Sequence, residues 1–363
     1  MENRTEARIS LNAITSNALN VMNTLEDGCR MLAVVKANAY GHGAVPVAKA
    51  LEEIGVTDFA VATAEEGAEI RKSGIKGNIL VLGKTAPAER LTLVQNDLCQ
   101  ACDSVEYAKQ LVKDGRPAIH IKIDTGMSRL GFYCHHAQKA EECAERILPL
   151  YDIEGIDVRG IFTHFADADG DTADFTRQQF SAFTAVIDTL KAKGKEVGTR
   201  HCCNSAGTLR YPEMHLDMVR QGIGLYGLER SVPDFPFKPA MTVCARLAAI
   251  GDLEKDDTIS YGRTYTASGT LRRGVVSFGY ADGMPRLLSG RYSVKINGQK
   301  APILGRVCMD MFMIDLTGID CQEGDEVQIF GADGEVSEMA DIIGTINYEI
   351  VCGITARVPR VYT

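Results

Sequence analysis

The sequence predicts an α/β plus β protein: an amino-terminal (β/α)8 barrel of the TIM type, followed by a mostly β carboxyl-terminal domain. The chain has 363 residues, which is more than one ordinary hydrophobic core organises. Over residues 1–230, short apolar runs alternate with stretches of helical periodicity. Over residues 231–363, the runs are short and alternating, and turn signals separate them. We therefore expect two domains that divide at residue 230.

The amino-terminal region contains eight apolar runs of the kind found in strands buried on both faces. The predicted strands are residues 32–35, 59–62, 79–82, 98–101, 119–123, 158–162, 200–203 and 216–219. Helical periodicity follows most of them, as at residues 44–54, 64–72, 105–113 and 174–193. Strands that alternate with helices indicate a parallel sheet, and eight such units are the number that closes a (β/α)8 barrel.

A proline-rich segment marks the change to the second domain. Three prolines fall within residues 231–239, which we interpret as a linker. The predicted strands beyond it are residues 242–250, 275–278, 292–296, 307–316 and 326–330. Turn signals such as Asn297-Gly298, Asp333-Gly334 and Ala281-Asp282-Gly283 separate them. No long amphipathic pattern intervenes, so this domain is predicted to be mostly β.

The composition argues against several classes of partner. The net charge is −9 and basic residues are scattered, so we expect a small metabolite rather than a nucleic acid. No apolar run approaches the ~20 residues that a membrane helix needs, and the first ten residues do not resemble a secretory signal. The cysteine count is 11, an odd number, which favours reduced thiols in a cytoplasmic protein over a disulfide framework.

Two cysteine pairs could suggest zinc or redox chemistry. They are Cys99-x-x-Cys102 and the adjacent Cys202-Cys203. A structural zinc site needs about four ligands, usually from two such pairs at a regular spacing. Only one C-x-x-C motif is present, and it lies in a predicted apolar strand. We therefore predict buried structural thiols and no metal, and interpret His135-His136 as surface or loop residues.

A lysine stands at the carboxyl end of the first predicted strand, in Val34-Val35-Lys36. Catalytic groups of such barrels come from the carboxyl ends of the strands. A desolvated amine loses its charge readily and becomes a nucleophile, although a lysine at this position could also extend to water. The Gly41-His42-Gly43 turn that follows permits close backbone approach, which favours a functional site.

Polar residues follow other predicted strands at the same end of the barrel. They are Lys122, Asp124 and Arg129 after the fifth strand, His164 after the sixth, Asn204 and Ser205 after the seventh, and Arg220 in the eighth. Each of them alone is explained equally well as a helix cap or a solvated loop residue. Because all of them are expected at the end of the barrel where Lys36 lies, the set predicts one common site.

Five segments together resemble the alanine racemase family. They are residues 35–43, 124–131, 220–227, 260–265 and 305–310, which occur in the order of the family's motifs. The resemblance covers nearly the whole chain. It implies a pyridoxal-phosphate enzyme that works as a head-to-tail homodimer. The implied activity is interconversion of L- and D-alanine, which supplies D-amino acid for peptidoglycan.

The resemblance also implies the two proton carriers. Racemisation removes the α-proton on one face of the substrate and returns a proton on the other, so two bases are needed. Lys36 would hold the cofactor and serve one face, and Tyr261 of the partner subunit would serve the other. A phenol needs cationic neighbours to act as a base near neutral pH, and His164 and Arg129 are the candidates.

Further contacts follow from the same resemblance. Arg220 matches the partner of the pyridine nitrogen, and arginine donates a hydrogen bond there without giving up its proton. The other implied cofactor contacts are Tyr40, His164, Asn204, Ser205, and the backbone N–H groups of Gly222 and Ile223. Arg129 and the backbone of Met309 match contacts to the substrate carboxylate. Lys122 corresponds to a lysine that is carbamylated in some members.

One position departs from the family pattern. Residues 347–360 resemble the terminal motif, in which many members have a tyrosine where this chain has Ala356. Alanine removes that hydroxyl and leaves room beside the substrate, and related serine racemases also lack the tyrosine. A serine racemase, or a racemase of both amino acids, is therefore the alternative to a strict alanine racemase.

Two further alternatives share the cofactor. A decarboxylase of the same architecture pairs the pyridine nitrogen with a carboxylate and carries a Gly-Gly-Gly run, but this sequence has arginine at position 220 and no such run. A non-enzymatic cofactor-binding protein would consist of the barrel alone. The long second region, which bears Tyr261 and Met309, argues against it.

Overall fold

A computed structural model describes residues 3–363, which fold into two compact units. The barrel unit comprises Ile14–Ala39 and Ala44–Phe237. The β unit comprises Lys238–Thr363 together with Tyr40–Gly43 and the stretch up to Ala13. This grouping differs from the predicted division at residue 230, because the strand Thr5–Ile9 pairs antiparallel with the strand Met241–Leu253.

Eight parallel strands form the barrel. They are Arg30–Val34, Asp58–Val61, Asn78–Val81, Cys99–Cys102, Ala118–Asp124, Asp157–Phe162, Thr199–His201 and Met218–Gln221. The eighth strand pairs with the first, and Met218 stands opposite Arg30. Between the seventh and eighth strands, the Arg220 N–H donates to the Cys203 carbonyl at 3.0 Å. All eight predicted strands are confirmed, with ends shifted by a few residues.

The helices that alternate with these strands follow the predicted periodicity. They are Ala44–Glu53, Ala64–Lys72, Arg90–Gln95, Val105–Leu111, Ala140–Ile147, Asp174–Ala192 and Ser205–Arg210, and Leu11–Met22 precedes the first barrel strand. The helix Ala64–Lys72 has the predicted bounds. It begins where Thr63 accepts a hydrogen bond from the Glu66 N–H, and acidic residues in its first turn and basic residues in its last favour the helix dipole.

The β unit contains an eight-stranded sheet. In sheet order its strands are Leu271–Val276, Phe312–Asp315, Gln299–Leu304, Ser293–Ile296, Glu326–Phe330, Met241–Leu253, Thr5–Ile9 and Arg360–Tyr362. Leu271–Val276 also pairs with Met241–Leu253, which closes the first six strands into a ring. The predicted Asn297-Gly298 turn joins two neighbouring strands, and both of its residues have the positive φ that a type I′ hairpin requires.

Several elements of the β unit differ from the prediction. The run at residues 307–316 is a strand only at Phe312–Asp315, because residues 308–311 form a tight turn. The pattern missed the strands Thr5–Ile9, Thr258–Ile259, Tyr265–Thr266, Gln299–Leu304 and Arg360–Tyr362, and the helices Glu335–Ile343 and Asn347–Cys352. Residues 231–239 contain no helix or strand, as the linker interpretation requires.

The structure also shows the state of the cysteines and the length and polarity of the helices. Cys99 and Cys102 lie buried within one barrel strand, and the 11 cysteines are all free. Within residues 3–363, no three histidine, cysteine or acidic side chains form a group that could hold a metal ion. No helix in that part of the chain is long and apolar enough to cross a bilayer.

Candidate active site

Lys36 begins a left-handed turn directly after the first barrel strand. The φ angles of Ala37, Asn38 and Ala39 are 52°, 52° and 53°, and their ψ angles are 48°, 49° and 51°. This conformation costs roughly 1–2 kcal/mol per L-residue, so the surroundings must hold it. The Ala37 N–H donates to Glu66 Oε1 at 2.8 Å, and Asn38 Oδ1 accepts from the Ala44 N–H at 2.8 Å. Such strain is concentrated at functional sites.

Arg220 is buried at 4% exposure, and its two terminal nitrogens are fully engaged. Nη1 donates to His201 Nδ1 at 3.0 Å. Nη2 lies 2.9 Å from the Thr163 carbonyl, 3.1 Å from His164 Nδ1 and 2.8 Å from the Cys202 carbonyl. The Nε–H makes no hydrogen bond to any residue in 3–363. Burial lowers the pKa of Arg220 to about 10, which leaves it charged at neutral pH.

Three histidines continue this network. Because arginine has no acceptor, His201 Nδ1 must accept from Arg220, and its proton lies on Nε2. His201 Nε2 then donates to His120 Nδ1 at 2.8 Å. His120 lines a cavity of about 220 Å³ among the amino-terminal ends of the strands. Burial, with the charge of Arg220 second, lowers the pKa of His201 well below its ordinary value, and burial lowers that of His120 to about 4.

His164 is also neutral, which corrects its expected role as a cation. Burial, and next the charge of Arg220, lower the pKa of His164 well below its ordinary value. Its Nδ1 accepts from Arg220, so its proton lies on Nε2. The ring can therefore donate a hydrogen bond but cannot supply the positive charge, which resides on Arg220.

Asn204 and Ser205 form the beginning of the helix Ser205–Arg210. Asn204 is its N-cap, and Oδ1 accepts from the Gly207 N–H at 2.9 Å. Ser205 Oγ accepts from the Gly222 N–H at 3.0 Å, so this N–H is directed at the hydroxyl. Ile223 begins a short 3-10 helix directly after Gly222. Two helix beginnings and a hydroxyl group therefore converge, a donor arrangement that suits an anion.

The loop after the fifth barrel strand carries the lysine and arginine of the predicted site. Lys122 is buried, its Nζ donates to the Ile123 carbonyl at 2.7 Å, and burial together with the charges of Arg220 and Arg129 lowers its pKa to about 7. Asp124 Oδ1 accepts the N–H groups of residues 126 and 128, which closes the turn before Arg129. Arg129 itself is exposed.

The β unit carries the other predicted residues. Tyr261 and Met309 line one cleft of about 450 Å³ together with Ser260, Cys308, Asp310, Met311 and Met313. Tyr261 is 72% exposed and Met309 is 52% exposed. Ser260 has a φ of 69°, and its Oγ donates to the Arg306 carbonyl at 2.7 Å, which holds the strained turn before Tyr261. The Met309 N–H makes no hydrogen bond within residues 3–363.

Two further predicted residues belong to the β unit. Tyr40 is buried, and its ring centre lies 5.8 Å from that of Tyr348. Ala356 is exposed and stands between Thr355 and Arg357. Arg357 Nη2 donates to Asp310 Oδ1 at 2.8 Å, so the loop of Ala356 is tied to the loop of Met309.

Sequence reasoning missed His120 and His201, which connect Arg220 to the far end of the barrel. A signal for them existed. Each is a histidine within a barrel strand, at positions where the parallel sheet is otherwise mostly apolar. In the barrel unit the structure brings together Arg220, His164 and the Ser205 turn, and the charges of Lys36, Lys122 and Arg129 also act on His164.

Comparison with known proteins covers both units. The model of the alanine racemase N-terminal domain matches residues 9–230, and that of the C-terminal domain matches residues 240–362. An alanine racemase of Desulforamulus reducens is 41% identical over 367 residues, which cover 98% of each chain. One of Clostridium perfringens is 41% identical and covers 98% of this chain and 94% of its own. The chain belongs to the alanine racemase family.

Solved structures of the family agree with the fold. That of alanine racemase from Clostridium difficile 630 has a TM-score of 0.93 at 37% identity, and the match covers 100% of this chain and 96% of that one. The chain is accordingly an isomerase of a family that depends on pyridoxal phosphate. A cofactor-binding protein made of the barrel alone would lack the C-terminal domain, which this chain matches over residues 240–362. The relatives reported above are alanine racemases and give no support to the decarboxylase alternative.

The donor set in the barrel unit fits pyridoxal phosphate. The Nε–H of Arg220 is an uncommitted donor on a buried side chain, which suits a ring nitrogen. The Ser205 hydroxyl and the Ile223 N–H suit the phosphate, whereas the Gly222 N–H is already donated to Ser205 Oγ. Lys36, which directly precedes the strained turn, would supply the amine. These residues are the ones that would hold the cofactor.

Proposed function

We propose that this protein interconverts L- and D-alanine by a two-base mechanism, and that the D-alanine serves peptidoglycan synthesis. The observation that carries the proposal is the guanidinium of Arg220, buried with its Nε–H uncommitted, in a chain that matches alanine racemases along its whole length. A cationic partner of the ring nitrogen distinguishes this site from one built around a carboxylate.

Lys36 and Arg220 divide the work in the barrel unit. Pyridoxal phosphate, when bound, supplies the electron sink that makes the substrate's α-proton removable. Lys36 holds the cofactor and carries a proton at Nζ on one face of the substrate. Arg220 donates a hydrogen bond but retains its proton, which keeps the sink weak and limits side reactions. The buried Lys122, whose pKa is about 7, is neutral often enough to be carbamylated and would then orient Arg129 toward the substrate carboxylate.

Tyr261 is the proposed carrier on the other face. Its ring is 72% exposed in the single chain, which suits a side chain that a partner subunit covers. We therefore infer a head-to-tail homodimer in which Tyr261 of the partner subunit completes the site. In that dimer the neutral His164 would offer its Nε2–H to the phenol oxygen.

One experiment tests the activity directly. The cofactor-loaded protein is incubated with L-alanine in D2O, and both the α-deuterium content and the enantiomer ratio are followed. We expect deuterium incorporation together with inversion until the two enantiomers are equal. Cofactor binding without exchange would favour a binding protein, and release of CO2 would favour a decarboxylase.

Substrate range depends on Ala356 under the serine alternative. The exposed methyl group lies on a loop tied to Met309, where a tyrosine would narrow the cleft. Apolar pockets reject an added hydroxyl by only about 10²-fold, and extra room reduces that discrimination further. We expect L-serine turnover comparable with that of L-alanine, and Ala356→Tyr should lower serine turnover more than alanine turnover. Equal effects on both substrates would remove Ala356 from specificity.

A further inference from the structure

Three loops of the β unit, residues 279–284, 308–311 and 353–357, meet around Asp282. Its side chain is fully buried, at 0% exposure. Oδ2 accepts from the Gly279 N–H at 3.0 Å, and Arg4 binds both carboxylate oxygens at 2.5 and 3.2 Å. Arg357 Nε lies 3.5 Å from Oδ1. Asp282 therefore closes the 279–284 turn and anchors two cations to it.

The 279–284 turn holds the peptide bond between Cys308 and Met309. The Tyr280 N–H donates to the Cys308 carbonyl at 3.0 Å, and the Ala281 N–H donates to the Met309 carbonyl at 2.9 Å. The Cys308 carbonyl and the Met309 N–H belong to one planar trans peptide and point in opposite directions. Fixing the carbonyl therefore aims the N–H, which has no acceptor within residues 3–363.

The loops of residues 279–284 and 308–311 approach each other closely. A Cβ at Gly279 would lie 2.2 Å from the Met309 carbonyl oxygen, so a side chain there would force the loops apart. Arg357 ties the third loop to the same point, since it also donates to Asp310 at 2.8 Å. The Asp282 carboxylate contacts both the Gly279 N–H and Arg357, so it links the 279–284 turn to the loop of residues 353–357.

We propose that Asp282 is a positioning residue that aims the Met309 N–H at the substrate carboxylate. This inference rests on the proposed function, in which that N–H receives the carboxylate of the amino acid. Asp282 touches neither substrate nor cofactor in this arrangement. It acts through the Gly279 turn and the Cys308–Met309 peptide.

Asp282→Asn tests the inference because it preserves shape and removes the charge. The amide cannot accept equally at both of its ends, so the Gly279 turn and the arginines lose a partner. The substrate carboxylate is present in both ground and transition states, so loss of its contact is expected to raise KM with kcat retained. We expect a rise in KM for alanine of roughly tenfold, in line with one hydrogen bond to a charged group. The inhibition constant of propionate, which has the carboxylate and lacks the amine, should rise in parallel.

The matched control is Glu335→Gln. Glu335 is also a buried carboxylate of the β unit that accepts backbone N–H groups, from Gly331 and Asp333, and pairs with a cation, Lys295. The Glu335→Gln variant should leave the KM for alanine and the inhibition constant of propionate unchanged. An Asp282→Asn enzyme with unchanged KM and inhibition constant, or with a lowered kcat alone, overturns the proposal.

A second variant covers the case in which Asp282→Asn does not fold. Arg357→Gln removes the half-exposed arm to Asp310, and the same two constants decide by the same criterion. Failure of the proposed function is distinguishable, because the wild-type enzyme would then not racemise alanine at all. A wild-type enzyme that racemises alanine and variants that leave both constants unchanged would contradict only the role of Asp282.

Discussion

Replacing Lys36 with alanine is expected to abolish measurable racemisation. The substitution would remove the proposed cofactor lysine and one of the two proposed proton carriers together. Loss of a general base alone typically costs ~10²–10⁴-fold, so the combined loss should exceed that range. Steady-state rates from L- and D-alanine measure it, and both directions should fall equally because the two enantiomers have the same free energy.

A chemical experiment identifies the lysine independently of activity. Borohydride reduction of the cofactor-loaded protein should fix the cofactor covalently to Lys36, which peptide mapping detects. The matched control is Lys84→Ala, since Lys84 also follows a barrel strand, Asn78–Val81, and its ammonium contacts Asp103 and the ring of Tyr107. That variant should retain full activity and labelling. Label on any other lysine, or full turnover by the Lys36→Ala variant, would contradict the assignment.

Replacing Tyr261 with phenylalanine should lower racemisation by ~10²–10⁴-fold, the usual contribution of a general base. The ring and its packing are retained, so cofactor absorbance and the borohydride product at Lys36 should persist. Tyr265→Phe is the matched control. Tyr265 lies in the same hairpin but packs against the apolar cluster around Ile259 and Leu304. It should leave turnover unchanged.

Isotope exchange gives the sharper test of the two faces. Without the Tyr261 hydroxyl, Lys36 can still remove and return a proton on one face of the substrate. One enantiomer of alanine should therefore exchange its α-proton with D2O and keep its configuration, whereas the other should exchange slowly. Equal exchange of both enantiomers by the Tyr261→Phe variant, or wild-type racemisation, would remove Tyr261 from the mechanism.

The barrel and the position of its site were predictable from the sequence. The periodicity of apolar residues indicates which short segments are buried. Eight buried strands that alternate with helices are the pattern of a closed (β/α)8 barrel. Because the carboxyl ends of parallel strands meet at one end of the barrel, Lys36, His164 and Arg220 could be assigned to a common end before any contact was known. The residue resemblance supplied their roles, which strand positions alone do not contain.

The β unit was less predictable because its pairing is remote in sequence. The strand Thr5–Ile9 pairs with Met241–Leu253, more than 200 residues away, and nothing in either run specifies the other. The predicted strand at residues 307–316 is interrupted at Met309 because the neighbouring turn at Gly279 packs against the Met309 carbonyl. An apolar run reports that a segment is buried but does not report which carbonyl a neighbour contacts.

The sequence by itself determined the fold class, the eight barrel strands and the end of the barrel at which Lys36 lies, since local periodicity and strand direction are sufficient for these. Only the tertiary structure decided the charge states and orientations within the site. His164 is neutral because it is buried beside Arg220, and the Met309 N–H is aimed by a turn closed around Asp282. Protonation and hydrogen-bond direction depend on neighbours from distant parts of the chain, and those neighbours exist only after folding.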